Sequence, residues 1–407
     1  SKLNLIEMKV IKHNTLLIVI AISSLSLFSQ NNDIEANGAS KLLASNKNLT
    51  FGGYGQIDYN QPIGGNSIQN GTLDVHRLVL LFGYRFNDRL NFVSEIEVEH
   101  VKEVYVEQAF LNYSFNTYFN IRGGLMLVPM GIINEYHEPT TYNGVERPLI
   151  DKYIAPTTWR EIGVGITGTI PELSVKYQSY IMNGFSSYNG SAQLSGSNGM
   201  RSGRQKGAES YTRTPVSASR IEYFGILGLN MGFSAYLGKT QSSLFKNIEK
   251  EDNIALTEAD SSIVNMTMFG LDARYQKRGV QLRAQAYYAT LSNTLQYNFL
   301  TQSDGIPNNV GNTMYGYYAE IGYNVFQELP KIKSDLTIFV RYSAYDTQNT
   351  VVNGLTKNPD YTKQVITTGI GWKPLSSIAI KADFQFLKSK EDSDYSKVFN
   401  AGIAIWF

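Results

Sequence analysis

The sequence predicts an all-β fold, a 16-stranded antiparallel transmembrane β-barrel with long extracellular loops. Three observations predict it. Apolar and polar residues alternate with a period of two through segments of about 10 to 13 residues. The segments are joined by short and long connections in alternation. The last segment, Phe399 to Phe407, keeps Phe399, Ala401, Ile403, Ile405 and Phe407 on one face and stops on an aromatic residue.

Composition permits this reading and excludes others. Of 407 residues, 36 are Lys or Arg and 35 are Asp or Glu, a net charge of +1 that argues against a nucleic-acid partner. Charged residues make up 17 %, below the ~25 % of soluble domains, and aromatic residues 12 %. With no cysteine, disulfides, thiolate metal sites and cysteine nucleophiles are excluded.

Residues 1–29 read as a secretory signal peptide whose true start is Met8. Lys9 and Lys12 precede an apolar run from Leu16 to Phe28, and Ser29 to Asn32 turn polar. About 13 apolar residues are too few to span a bilayer as a helix, which needs ~20. Residues 30–48 read as a short polar periplasmic lead, and 49–407 as the barrel.

The strands then follow in order: 49–59, 72–86, 90–101, 104–115, 120–128, 161–170, 173–183, 216–225, 230–238, 265–277, 280–292, 313–325, 335–347, 364–374, 378–390 and 396–407. The clearest alternation sets Val280, Leu282, Ala284 and Ala286 against Gln281, Arg283 and Gln285. Short connections fall at 87–89, 171–172, 278–279 and 375–377; long ones at 129–160, 184–215, 239–264, 293–312 and 348–363. Short periplasmic turns and long external loops give that pattern, which places Ser197, Asn247 and Asn308 outside the cell.

A three-residue loop at 87–89 sets the register of its hairpin. Tyr84 then faces Phe92, Leu80 faces Ile96 and Leu78 faces Val98 on the apolar face, while Arg77 meets Glu99. Glu107, on the fourth strand, has no clear direction. His76 and His100 meet at the outer rim on the lipid-facing parity. Two imidazoles at that distance could share a metal, but interfacial histidines fit better, and no metal or other cofactor is assigned.

Parity places a mixed set of charges inside. The basic candidates are Arg77, Arg122, Lys176, Arg220, Arg274, Arg283, Arg341 and Lys381. The acidic ones are Glu95, Glu97, Glu99, Glu222, Asp272, Glu320 and Asp383. A two-residue turn at Arg278 and Gly279 sets Arg274 opposite Arg283, a like-charge pair that an anion or Asp272 would relieve. Glu95, Glu97 and Glu99 form a row that could instead attract cations.

The chain resembles the phosphate-selective porin family of Gram-negative outer membranes. The resemblance rests on the run from Leu49 to Asp58, on Asp74 to Leu78, on Phe92 to Glu99, on Val106 to Phe110 and on Gly123 to Gly131. It implies an outer-membrane location and a homotrimer of 16-stranded barrels, each with an inward-folded third loop. It further implies passive diffusion of small hydrophilic solutes with a preference for anions or phosphate. The third loop is then 129–160, about 32 residues long, stiffened by Pro129, Pro139, Pro148 and Pro156. It either narrows the tube or lies over it as a flap. Its constriction candidates are Glu138, Glu146, Arg147, Asp151 and Lys152. Phe407 resembles the carboxy-terminal signal read by the barrel-assembly machinery. The remaining expected partners are outer-membrane lipid and lipopolysaccharide.

No pattern of a hydrolase, zinc protease or phosphate-binding loop occurs, so no enzyme is expected. A plugged transporter needs about 22 strands, more than 407 residues supply. A structural barrel that scaffolds surface proteins is the rival to a channel.

Overall fold

The computed structural model describes residues 37–65, 68–329 and 331–407. The expected leader lies outside the described residues, as does the lead up to Ala36. Sixteen antiparallel strands close into a barrel in which β18 (Ser396–Trp406) pairs with β1 (Leu49–Ile63). Between them run β2 (Thr72–Arg85), β3 (Leu90–Glu99), β4 (Glu103–Ser114), β5 (Asn120–Leu127), β6 (Arg160–Ile170) and β7 (Val175–Met182). Next come β9 (Val216–Ile226), β10 (Leu229–Lys239), β12 (Asn265–Lys277), β13 (Val280–Ser292), β14 (Thr313–Asn324), β15 (Asp335–Thr350), β16 (Thr362–Leu375) and β17 (Ile378–Ser389). Two short strands, β8 (Ser186–Tyr188) and β11 (Gln241–Ser242), pair in the external loops. Among the described residues no helix is long and apolar enough to cross a membrane; the strands make the crossing.

Burial is inverted relative to a water-soluble protein. Leu271, Leu282, Ile321, Val340, Ile380 and Ile403 are exposed on the outer wall, whereas Arg220, Asp272, Glu320, Arg341 and Asp383 are buried. An apolar band outside and charge inside is the arrangement that lipid demands. The period of two puts it there, since alternate residues of each strand face opposite sides.

The turns hold the register that the sequence implies. Arg278 and Gly279 both have positive φ, 49° and 78°, the backbone of a two-residue hairpin turn. Arg274 accordingly sits opposite Arg283. The 87–89 turn pairs Tyr84 with Phe92, Leu80 with Ile96 and Arg77 with Glu99. At the carboxy terminus Phe407 exchanges two 2.9 Å backbone hydrogen bonds with Gly53, which extends the closing seam by one residue.

Two bulges change the direction of side chains. Register shifts between Gln56 and Asp58 in the β1–β2 pair, which turns His76 toward the lumen, against the lipid-facing parity expected of it. A second shift, at Glu95 and Ile96 in the β3–β4 pair, leaves an extra residue on β4. Glu107 and Gln108 are consecutive yet both buried. An inserted residue offsets the alternation downstream of it.

From Asn37 the expected polar lead is seated inside the short-turn mouth as helix α1 (Gly38–Leu43). Its Gly38 N–H donates to Glu138 Oε1 at 2.5 Å, Leu42 packs under Gly83, and Lys41 lies 3.9 Å over the Trp406 ring.

Candidate pore and its constriction loop

Loop 129–160 folds into the barrel and crosses it, as the inward alternative expected and not as an external flap. It starts at Gly131, whose φ of 71° and contact with the Tyr287 hydroxyl exclude any side chain. It carries two short helices, α2 (Gly131–Glu135) and α3 (Ile150–Tyr153). Its return is clamped by Trp159, stacked on Phe185 at 4.3 Å and tilted against Tyr236 at 4.6 Å, with the indole N–H donating to Glu161 at 2.8 Å.

Most of the charges that parity placed inside hold this loop. The Lys381 ammonium donates to the carbonyls of Pro139, Tyr142 and Gly144 at 2.5, 2.7 and 2.9 Å. Arg341 donates to the carbonyls of Asn143 and Glu146 and pairs with Glu320 at 3.3 Å. Asp383 accepts from the Val145 N–H at 2.7 Å. Gln285 reaches the Ile132 N–H, and Asp151 accepts from Gln285 and Tyr287. A loop that must leave its backbone groups inside a tube satisfies them on the wall.

The opposed arginines each find partners of their own. Arg274 lies 3.8 Å over the Tyr136 ring and 3.7 Å from Glu222, and Arg283 lies 4.0 Å from Glu320 on the next strand. Asp272 pairs instead with Arg220 at 2.5 Å, which also holds Glu222 at 3.1 Å and Glu135 at 3.2 Å. The glutamate row is equally committed. Glu95 accepts from Tyr54 and Gln108 and lies 3.1 Å from His137, and Glu97 pairs with Arg77 at 3.3 Å. Glu97 and Glu99, the latter beside His100, also line the outer cavity. Of the constriction candidates, Glu138 and Asp151 are buried, because they hold α1 and the β13 wall, while Glu146, Arg147 and Lys152, with the edge of Asp151, line a cavity.

That cavity, about 620 Å³, is the outer vestibule. It gathers Arg147 and Lys152 from loop 129–160, Arg160 from β6, and Arg201, Arg204 and Lys206 from loop 184–215. The Tyr105 ring lies between Arg160, 5.5 Å away, and Lys206, 4.7 Å away. Among the described residues, none of Arg147, Lys152, Arg201, Arg204 and Lys206 has a carboxylate within 4.0 Å. Burial, then Arg201 and Arg160, push the Arg204 guanidinium down to about 9. Burial, then Arg204 and Arg160, also lower Lys206. A guanidinium gives up its proton so reluctantly that an anion is the easier relief. Residues 201–206 escaped the sequence reading because an irregular loop has no parity to show which way it folds. The arginine at 201, the arginine at 204 and the lysine at 206 were the available signal.

On the short-turn side a cavity of about 250 Å³ is lined by Arg122 and Lys176. Arg122 donates to Asn112 and Tyr180 and lies over Phe110; Lys176 lies 5.4 Å from the Phe224 ring.

A closed barrel with a lipid-facing belt, two polar vestibules and a loop across its middle defines an outer-membrane channel protein. The chain belongs to the phosphate-selective porin O and P family, whose model matches residues 50–400. A protein of Aquifex aeolicus, described as uncharacterized, is 32 % identical over 384 residues, covering 91 % of this chain and 82 % of that one. Among solved structures, the anion-selective porin from Comamonas acidovorans is similar with a TM-score of 0.56 at 12 % identity, covering 88 % of this chain and 99 % of that one. The outer membrane channel DcaP of Acinetobacter baumannii is similar with the same TM-score and identity, covering 88 % and 97 %. The trimer form of OmpT from Vibrio cholerae has a TM-score of 0.51 at 12 % identity, covering 89 % and 100 %. At such identities the likeness is one of fold. Family and fold are those of a channel in the outer membrane.

Proposed function

We infer that this porin passes small hydrophilic solutes by passive diffusion and prefers anions, phosphate among them. The observation that carries the reading is the set of unpaired bases in the outer vestibule. Fixed guanidinium groups in a partly desolvated passage attract anions more strongly than surface charges do, and their fork matches phosphate oxygens in pairs. Arg122 and Lys176 give the inner vestibule the same sign. Arg220, Arg274, Arg283, Arg341 and Lys381 act as struts of the loop in this reading and not as the anion path.

Three further assignments accompany it. The chain works as a homotrimer in outer-membrane lipid and lipopolysaccharide, in line with the trimer form of OmpT. Residues 1–29 are a leader that directs it there. Phe407 is read by the barrel-assembly machinery while it also extends the β1–β18 seam.

The test is the reversal potential of the refolded protein in planar bilayers under a salt gradient. Anion preference that falls in an Arg201→Glu, Arg204→Glu double variant supports the reading. Absence of any conductance would favour a structural barrel.

A further inference from the structure

At the outer rim the β1–β2 bulge brings together groups that the channel reading does not use. Asp58 on β1 is buried, and its Oδ2 lies 2.6 Å from Nδ1 of His76 on β2. Glu146, on the constriction loop, faces the same spot and accepts from Asn60 at 3.1 Å. One ligand atom from each of Asp58, His76 and Glu146 lies within 4.8 Å of the other two. The set offers two carboxylates and an imidazole, and His76 and Glu146 line the 620 Å³ outer vestibule, so an ion can reach it.

A second observation points the same way. Among the described residues the only ion-pair partner of Asp58 within 4.0 Å is His76; no lysine or arginine is that close. Gln56, also buried, donates its amide N–H₂ to both Asp58 oxygens, at 3.1 and 2.9 Å, and to the Val145 carbonyl at 3.2 Å. Its own Oε1 is buried without any hydrogen-bond partner. A buried amide oxygen left unpaired costs about 1–3 kcal/mol. Rotating the amide would turn that oxygen toward the Asp58 carboxylate and the Val145 carbonyl. Without a cation the observed orientation, with N–H₂ toward Asp58 and Val145, is the stable one; with a cation bound there the rotated oxygen would be one more ligand.

We propose that Asp58, His76 and Glu146, with the Gln56 amide oxygen, form a site for a first-row divalent cation that ties the constriction loop to the β1–β2 wall. The mixed imidazole and carboxylate set suits zinc-like ions; calcium, which takes oxygen ligands alone, fits it poorly. Metal–ligand distances near 2.0–2.2 Å put ligand atoms roughly 3–4 Å apart. Binding therefore brings the three ligand atoms to that spacing and parts the His76–Asp58 contact, which at 2.6 Å is shorter. His100 is outside the set. Its ring stacks on His76 with centroids 5.6 Å apart, and its Nδ1 is taken by Asp74 at 2.5 Å. A histidine pair sharing a metal is thereby replaced by an Asp–His–Glu group.

The proposal goes beyond the channel reading, and its readout does not depend on conduction. Equilibrium dialysis of the refolded full chain against Zn²⁺ should show saturable binding of one ion per chain, absent with Ca²⁺. His76→Ala and Glu146→Gln should each weaken it at least about tenfold, and His100→Ala should retain it. Glu146 is only half-buried, so Glu146→Gln should keep the heat-modifiable gel mobility of a folded barrel and decide the matter if His76→Ala does not. No zinc binding by the folded wild type would overturn the site. So would binding undiminished in both ligand variants, or binding that follows His100 instead of His76.

Discussion

Under the constriction loop, Arg220, Arg274, Arg283 and Arg341 each have a carboxylate within 4.0 Å. In the outer vestibule, Arg147, Lys152, Arg201, Arg204 and Lys206 have none among the described residues. Both groups face the lumen of one barrel, yet they differ in what reaches them. The wall charges are covered by a loop that needs its carbonyls and amides satisfied, so they become part of a packed interior. The vestibule bases come mostly from loops around a cavity, where Arg147 and Arg204 donate to loop carbonyls without an ion-pair partner among the described residues. Facing inward on a strand is therefore a different property from lining a pore.

The largest expected effect separates the two groups by stability. Arg220→Ala would strand Asp272 and Glu135 without their cation and leave Glu222 with Arg274 alone, 3.7 Å away. Removing one partner of a buried pair costs about 3–5 kcal/mol. The temperature at which the barrel loses its heat-modifiable mobility should drop sharply. Arg201→Ala, in the vestibule, should change stability by no more than about 0.5 kcal/mol. Equal losses for the two would erase the distinction.

Deleting Phe407 comes next. It removes two seam hydrogen bonds and the terminal aromatic together. The amount of assembled barrel in the outer membrane should fall several-fold and degradation should rise, measured by immunoblot of membrane fractions. Phe407→Ser keeps the backbone bonds, so a smaller fall in that variant divides the seam from the recognition signal.

Topology can be checked by labelling. Ser197 and Asn247 are exposed at the tips of their loops, but Asn308 is half-buried and donates to the Leu194 carbonyl at 2.9 Å. Asp304 is the better probe of that loop. Cysteines at 197, 247 and 304 should react with a membrane-impermeant reagent on intact cells. Labelling only after the outer membrane is broken would invert the vestibules.

The smallest effect is on pH. The lowered Lys206, and Arg204 pushed down to about 9, lose their protons earlier than an ordinary lysine or arginine as pH rises. Positive charge leaves the outer vestibule in that direction. Anion preference, read as a reversal potential, should weaken from pH 7 to pH 10, and Lys206→Met should reduce the change, leaving the part that Arg204 carries.

All sixteen strands were legible because each repeats one simple rule over ten or more residues, and lipid outside enforces it. The hairpins at 87–89 and 278–279 were legible because short turns leave little choice of register. The bulges beside Asp58 and Glu107 were not. A single inserted residue reverses parity downstream, and nothing in the local sequence near Gln56 or Glu95 announces it. The site was less legible than the wall for a related reason. Arg274 opposite Arg283 follows from one hairpin, but their partners Tyr136, Glu222 and Glu320 arrive from other elements. Arg201, Arg204 and Lys206 reach the vestibule only through the folding of an irregular loop. The Asp58–His76–Glu146 group needs both a bulge and that kind of long-range closure.

The account rests on the unpaired vestibule bases, and not the wall struts, setting the sign of the charge that passes. The most direct measurement compares reversal potentials in a KCl gradient for the wild type, the Arg201→Glu, Arg204→Glu double variant and Arg283→Gln. The expected result is an anion-preferring wild type, a reversal potential moved toward cations in the double variant, and little change in Arg283→Gln. A cation-preferring wild type would contradict the account. So would a double variant that behaves as the wild type while Arg283→Gln abolishes the preference.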